Sequence, residues 1–190
     1  MTLMTHPKPQ NSIDKFVLLS IYAATFSIAA CTNTTTKPEQ LSEAQACTHL
    51  NELIGDHPNH FDNIKKNLTP SRRLSVWAAD KLFPTADNCQ VWEWGAGLFN
   101  YACEWKTGND EQKAIDNYQY GIDTIQNCLG EQWTAQTNTT ESGGKHTRFS
   151  SPDTQTMISV RYFKEQRGWP TSWLNTFIIG DRSNLQTPLQ

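Results

Sequence analysis

The sequence predicts an α+β domain: N-terminal helices, a β-hairpin, one long helix, then C-terminal strands in a mainly antiparallel sheet. Three observations predict it. Residues 110–129 place Ala114, Ile115, Tyr118, Ile122, Ile125 and Leu129 at helical spacing. Residues 89–105 alternate in character around a Gly95-Ala96-Gly97 turn, and residues 155–164 alternate again. No βαβ rhythm links these segments, so the sheet should be antiparallel, with helices on one face.

In chain order, the leader comes first. Residues 1–15 are polar and include Lys8 and Lys15. Phe16 to Ala30 is an apolar run of 15 residues, shorter than the roughly 20 that a membrane-spanning helix needs. This is the build of an export signal. It ends in Ser27-Ile28-Ala29-Ala30-Cys31, and a polar stretch, TNTTTKPEQ, follows. An aliphatic residue, two small residues and a cysteine resemble the lipobox of bacterial lipoproteins. That resemblance implies a diacylglyceryl thioether on Cys31, cleavage between Ala30 and Cys31, and acylation of the new amino group. Two or three acyl chains anchor stably where one binds marginally. Thr32 is not Asp, so the family's sorting rule implies the outer membrane, facing the periplasm, in a Gram-negative cell. The expected organisation is a signal peptide at 1–30, a lipidated tether at 31–40, one α+β domain at 41–182 and a loose tail at 183–190.

The domain opens with a helix over Pro38 to Ile54, with Leu41, Ala44, Cys47, Leu50, Leu53 and Ile54 on one side. Ser42 and Gln45 have capping-box spacing, and Gly55 ends the run. Asp56-His57-Pro58-Asn59-His60-Phe61-Asp62 carries the residue types of a metal site, with no third histidine or cysteine near; the plainer reading is a polar turn. Phe61, Ile64 and Leu68 predict a second short helix. Leu74, Trp77, Ala78 and Leu82 fit a third, and Leu74 with Val76 fits a strand; Ala78 and Ala79 tip the reading to helix. Arg72 and Arg73 read as a solvated pair or an anion grip.

The hairpin is the clearest β signal. A three-residue loop with Gly97 left-handed pairs Trp94 with Leu98 and sets Cys89 opposite Cys103. A slip of one residue instead pairs Trp92 with Tyr101 and turns Cys89 to the other face. The chain has five cysteines. With Cys31 lipidated, Cys47, Cys89, Cys103 and Cys128 form an even set in an oxidising compartment, which predicts two disulfides. The first register goes with Cys89–Cys103 and Cys47–Cys128, and this is the expected pairing. The second favours Cys47–Cys89 with Cys103–Cys128, or Cys47–Cys103 with Cys89–Cys128.

Asn109 and Gln112 have capping-box spacing at the start of the long helix, and Gly130 closes it. Thr134 to Lys145 has no apolar periodicity and reads as a flexible loop. Its Ser142-Gly143-Gly144-Lys145 lacks the first glycine of a phosphate loop, where Thr139 stands, and lacks Ser or Thr after the lysine, where His146 stands. His146 to Ser150 reads as a short strand. In the next strand Ile158, Val160 and Tyr162 share one face, with Met157, Ser159, Arg161 and Phe163 on the other. Ser172 to Ile179 is the last strand.

Composition excludes one class of function. Lys+Arg number 16 and Asp+Glu 19; beyond the leader the balance is 14 against 18, or −4. That is not the electrostatic footprint of a nucleic-acid binder. No catalytic motif is present: no G-x-S-x-G, H-E-x-x-H, C-x-x-C or dinucleotide fingerprint. No catalytic residue, metal ligand or cofactor is assigned. His49 reads as an exposed helix residue, and Glu39, Glu43, Asp110 and Glu111 as helix starts. The expected function is therefore a membrane-anchored binding or inhibitor/immunity-type module with an envelope protein or cell-wall partner, a likeness of size and address. Trp169, Trp173 and the loop 134–146 are its candidate contacts; the plainer reading of both tryptophans is core. The alternative is an envelope hydrolase or metal-binding protein whose residues meet only in the fold.

Overall fold

A capping box opens the first helix, α1 (Glu43–Asp56): Ser42 Oγ accepts from the Gln45 amide, and the Gln45 side chain accepts from the Ser42 amide. Each bond satisfies an N–H that the first turn leaves without a partner. Ala46, Leu50 and Leu53 form its buried side. The computed structural model describes residues 41–69, 74–83, 86–166 and 170–185.

No helix follows α1 at Phe61–Leu68. A 3-10 turn (His57–Asn59) leads to His60 and Phe61, both at φ 59, and two successive left-handed residues end any helix. Asp56, itself buried, holds the turn by accepting from the Asn63 backbone at 3.0 Å and side chain at 2.7 Å. Phe61 and Ile64 fill the core from this turn, whereas Leu68 is 58 % exposed on a strand, β1 (Lys65–Thr69). The helix expected around Trp77 is also a strand, β2 (Ser75–Ala79), paired with β3 (Asn88–Trp94). The helix preference of Ala78 and Ala79 is worth tenths of a kcal/mol per residue, and the strand ladder outweighs it.

The hairpin of β3 and β4 (Leu98–Gly108) adopts the first register. Trp94 faces Leu98, Cys89 faces Cys103, and Gly97 has φ 71. Cys89 and Cys103 form one disulfide; Cys47 and Cys128 form the other. The second bridge ties α1 to α2 (Glu111–Cys128). Asp110, one residue after the expected Asn109, caps α2 by accepting from the Lys113 amide at 2.9 Å.

The segment expected to be a flexible loop is a hairpin of β5 (Thr134–Thr139) and β6 (Lys145–Ser150). Every residue of β5 is exposed, so no apolar alternation marks it; β-branched threonine and the ladder to β6 make it a strand. β7 (Thr156–Lys164), β8 (Trp173–Asp181) and a single helical turn, α3 (Arg182–Leu185), complete the domain. Leu185 of α3 is buried.

The eight strands of the described residues form one sheet, ordered β1-β2-β3-β4-β8-β7-β6-β5, with every neighbouring pair antiparallel. The architecture is α+β, with strands dominating and the helices fewer than expected. Leu50 and Leu53 of α1 and Tyr118 and Ile125 of α2 close over one face, where Tyr101 and Phe177 centre the core. On the other face Leu185 of α3 meets Ala102, Met157 and Ile178.

Candidate functional site on the open face of the sheet

Strand alternation sends every second side chain away from α1 and α2. In β6 those are His146 and Arg148; in β7, Met157, Ser159, Arg161 and Phe163. In β8 they are Leu174, Thr176 and Ile178, and in β4, Ala102, Glu104 and Lys106. Register then stacks them across strands. His146 faces Arg161, Arg161 faces Thr176, and Thr176 faces Glu104. One step along, Arg148 faces Ser159 and Ser159 faces Ile178. A polar band thus crosses the middle of the sheet, with neighbours about 5 Å apart.

The contacts within the band are specific. His146 Nε2 lies 2.7 Å from Ser159 Oγ. Arg161 Nε donates to Thr176 Oγ1 at 2.9 Å, and its guanidinium carbon lies 4.6 Å from the Phe163 ring centre. Ser159 and Thr176 are buried; His146, Arg148 and Arg161 are half-buried. The Arg148 Nε is enclosed and has no hydrogen-bond partner among the described residues. Neither guanidinium pairs with a carboxylate there: the ion pairs join Asp62 to Lys65, Asp80 to Lys66, Glu52 to Lys81 and Glu165 to Lys106.

The electrostatics follow from that crowding of positive charge. Burial, then the charges of Arg148 and Arg161, pull the His146 pKa down to about 4, so the ring is neutral at pH 7. Burial also lowers the Arg161 pKa, with Glu104 opposing. Half-buried charges ordinarily have partners. Two guanidiniums, a neutral imidazole and two hydroxyls, with Glu104 at the end of the band and in ion-pair contact with neither guanidinium, form a surface suited to an anion. At the far end of this face Trp92 and Trp94 meet edge to face at 5.7 Å, and Trp94 is 37 % exposed.

The residues singled out from sequence go elsewhere. His57 Nδ1 lies 2.8 Å from Thr156 Oγ1, and burial lowers its pKa. His60 stacks on Phe99 at 4.5 Å, and Asp62 pairs with Lys65 at 2.6 Å. Among the described residues no three His, Cys, Asp or Glu side chains are grouped to hold a metal. A cleft of about 330 Å³ near this turn is lined by Glu52, Asp56, Asn59, Asn63 and Lys81, but Lys81 is taken by Glu52 and Asp56 by Asn63. His49, expected at the surface, is half-buried, and burial and Lys81 lower its pKa.

Of the two readings of Trp173 the structure takes the core one: it is 7 % exposed and packs against Tyr162 at 5.8 Å. Trp169, Arg72, Arg73 and Cys31 lie outside the described residues. The glycines after Ser142 serve the β5–β6 hairpin. Gly143 has φ +86, and a Cβ on Gly144 would overlap the Tyr162 carbonyl. The band itself escaped sequence reading. The alternation of Ser159 and Arg161 was legible, but their neighbours on β6 and β8 follow only from register.

No family model matches the chain, and no curated protein or solved structure is similar to it. Among the described residues no helix is long and apolar enough to cross a membrane.

Proposed function

We propose that the chain is a lipid-anchored protein of the bacterial cell envelope whose folded domain is a non-enzymatic binding module, of the inhibitor or immunity kind. Anchoring rests on Ser27 to Cys31: acyl chains on Cys31 hold the protein to the outer membrane, facing the periplasm. Two disulfides support an oxidising compartment. The recognition surface is the open sheet face, and the group it recognises on an envelope protein or cell-wall partner is an anion, a carboxylate or a phosphate. The observation that carries this is the pair Arg148 and Arg161, half-buried diagonal neighbours across β6 and β7 with no ion-pair partner among the described residues.

A negative charge docked there offsets the two guanidiniums and stabilises protonated His146. Inorganic phosphate or acetate, titrated while the His146 ring is followed by NMR, should raise its pKa from about 4 and shift the Arg148 Nε–H signal saturably. Signals that stay fixed would sink the anion reading. Intact mass of membrane-extracted protein tests the anchor separately: acyl mass on Cys31 supports it, and an unmodified soluble product refutes it.

The 2.7 Å contact of His146 with Ser159 favours a second reading, a serine hydrolase. It carries less weight, because Ser159 is 3 % exposed and a ring with a pKa near 4 is a weak base. Covalent labelling of Ser159 by a fluorophosphonate would revive it.

A further inference from the structure

The two edges of the sheet meet solvent differently. β1 is short, its register shifts between Lys65 and Leu68, and it bears Lys65 and Lys66. Lysines and bulges are the devices by which native sheets prevent edge pairing. β5 has neither. Its six residues run in unbroken register with β6, carry no charge and no proline, and are all exposed.

The direction of its backbone groups can be read from the turn. Thr140 N–H donates to Gly144 O at 2.9 Å, toward β6. Backbone groups alternate sides along a strand. Thr134, Gln136 and Asn138 therefore face β6, and Ala135, Thr137 and Thr139 turn their N–H and C=O outward. Among the described residues no strand lies beyond β5.

We propose that a second copy of this chain covers this edge, its β5 antiparallel to the first across a two-fold axis normal to the sheet at Thr137. That centre sets Thr137 opposite its own counterpart and Ala135 opposite Thr139, so every outward N–H and C=O of the three residues gains a partner. A centre one residue away leaves Thr139 or Ala135 facing a residue beyond the strand. An axis normal to the sheet also keeps like faces together. Gln136 of each copy then stands beside Asn138 of the other, two amides that can each donate and accept, and no like charges oppose. The open faces of the two copies join into one surface. The contact stands on backbone geometry alone and does not depend on the anion reading.

The full chain, extracted from membranes in detergent, should sediment as a dimer after correction for bound detergent. Gln136→Lys with Asn138→Lys sets ammonium groups against each other and should give monomer. Gln136→Lys with Asn138→Asp sets an ammonium beside a carboxylate twice and should keep the dimer. The dissociation constants of these two variants should differ roughly ten-fold or more. Circular dichroism and thiol counting confirm that both are folded. A wild-type chain that stays monomeric at every concentration overturns the proposal. So do two variants that dimerise equally, which would place the contact elsewhere.

Discussion

The two faces of the sheet are built from the same strands and do opposite things. Toward α1 and α2 the strands present Val91, Tyr101, Ile158, Val160, Phe177 and Ile179, all fully buried. Away from the helices they present His146, Arg148, Ser159, Arg161, Thr176 and Glu104. Apolar burial stabilises the first face at about 25 cal/mol per Å² removed from water. The second face buries a smaller apolar cluster under α3 (Ala102, Met157, Ile178 and Leu185) and carries two arginines that form no ion pair among the described residues, with Glu104 at the end of the band. The difference assigns stability to one face and recognition to the other. Substitutions on each should therefore register in different measurements.

The largest effect should come from the helix layer. Replacing Cys47 and Cys128 with alanine releases a cross-link spanning 81 residues and should cost about 4–5 kcal/mol of stability. Replacing Cys89 and Cys103, 14 residues apart, should cost about 3 kcal/mol, and urea titration ranks the two. The reverse order would show that chain entropy does not govern these bridges.

Next comes the covered face. Phe177 is fully buried and stacks on Phe83 with ring centres 3.8 Å apart. Phe177→Ala should cost about 3–5 kcal/mol and leave the His146 response to phosphate unchanged in whatever protein remains folded. On the open face, Ser159→Ala removes one hydrogen bond and should cost about 1 kcal/mol. Arg148→Ala with Arg161→Ala should shift the urea midpoint little and abolish the phosphate response. A double variant that loses stability like Phe177→Ala would erase the division between the faces.

Acid sensitivity is a separate readout of the open face. The His146 pKa is about 4 in the folded protein, below its ordinary 6.5, so the unfolded chain takes up a proton that the folded chain refuses. The contribution is full above about pH 6.5 and is lost as pH falls toward 4. His57 and His49 are lowered too and act in the same direction. His146→Gln should flatten, without removing, the fall of the urea midpoint between pH 7 and pH 5. An unchanged slope would place His146 in water.

Legibility in sequence followed whether an element buries one face. α1, α2, the β3–β4 hairpin and β7 each bury a stripe or an alternate set, and β8, buried on both faces from Trp173 to Gly180, still alternates Trp173, Phe177 and Ile179 against Leu174 and Ile178; those patterns are visible in the sequence. β1, β2 and β5 were misread or missed, because β5 buries nothing and β1 and β2 carry mixed local preferences that pairing overrides. Their strand character comes from neighbours far along the chain. The candidate site shows the same limit: His146 and Ser159 meet through the β6–β7 register, and Arg161 and Thr176 through the β7–β8 register.

By itself, then, the sequence determined the α+β class, the long helix, the hairpin and the even set of cysteines that two disulfides consume, because local spacing encodes which side of an element is apolar. Only the tertiary structure decided which register the hairpin takes, which cysteines join, that the eight described strands share one sheet, and that two arginines lie diagonally across neighbouring strands of its open face. Those outcomes depend on pairing between distant segments. Pairing is settled by the packed sheet as a whole, where a slip of one residue would turn every buried side chain of a strand to the wrong face.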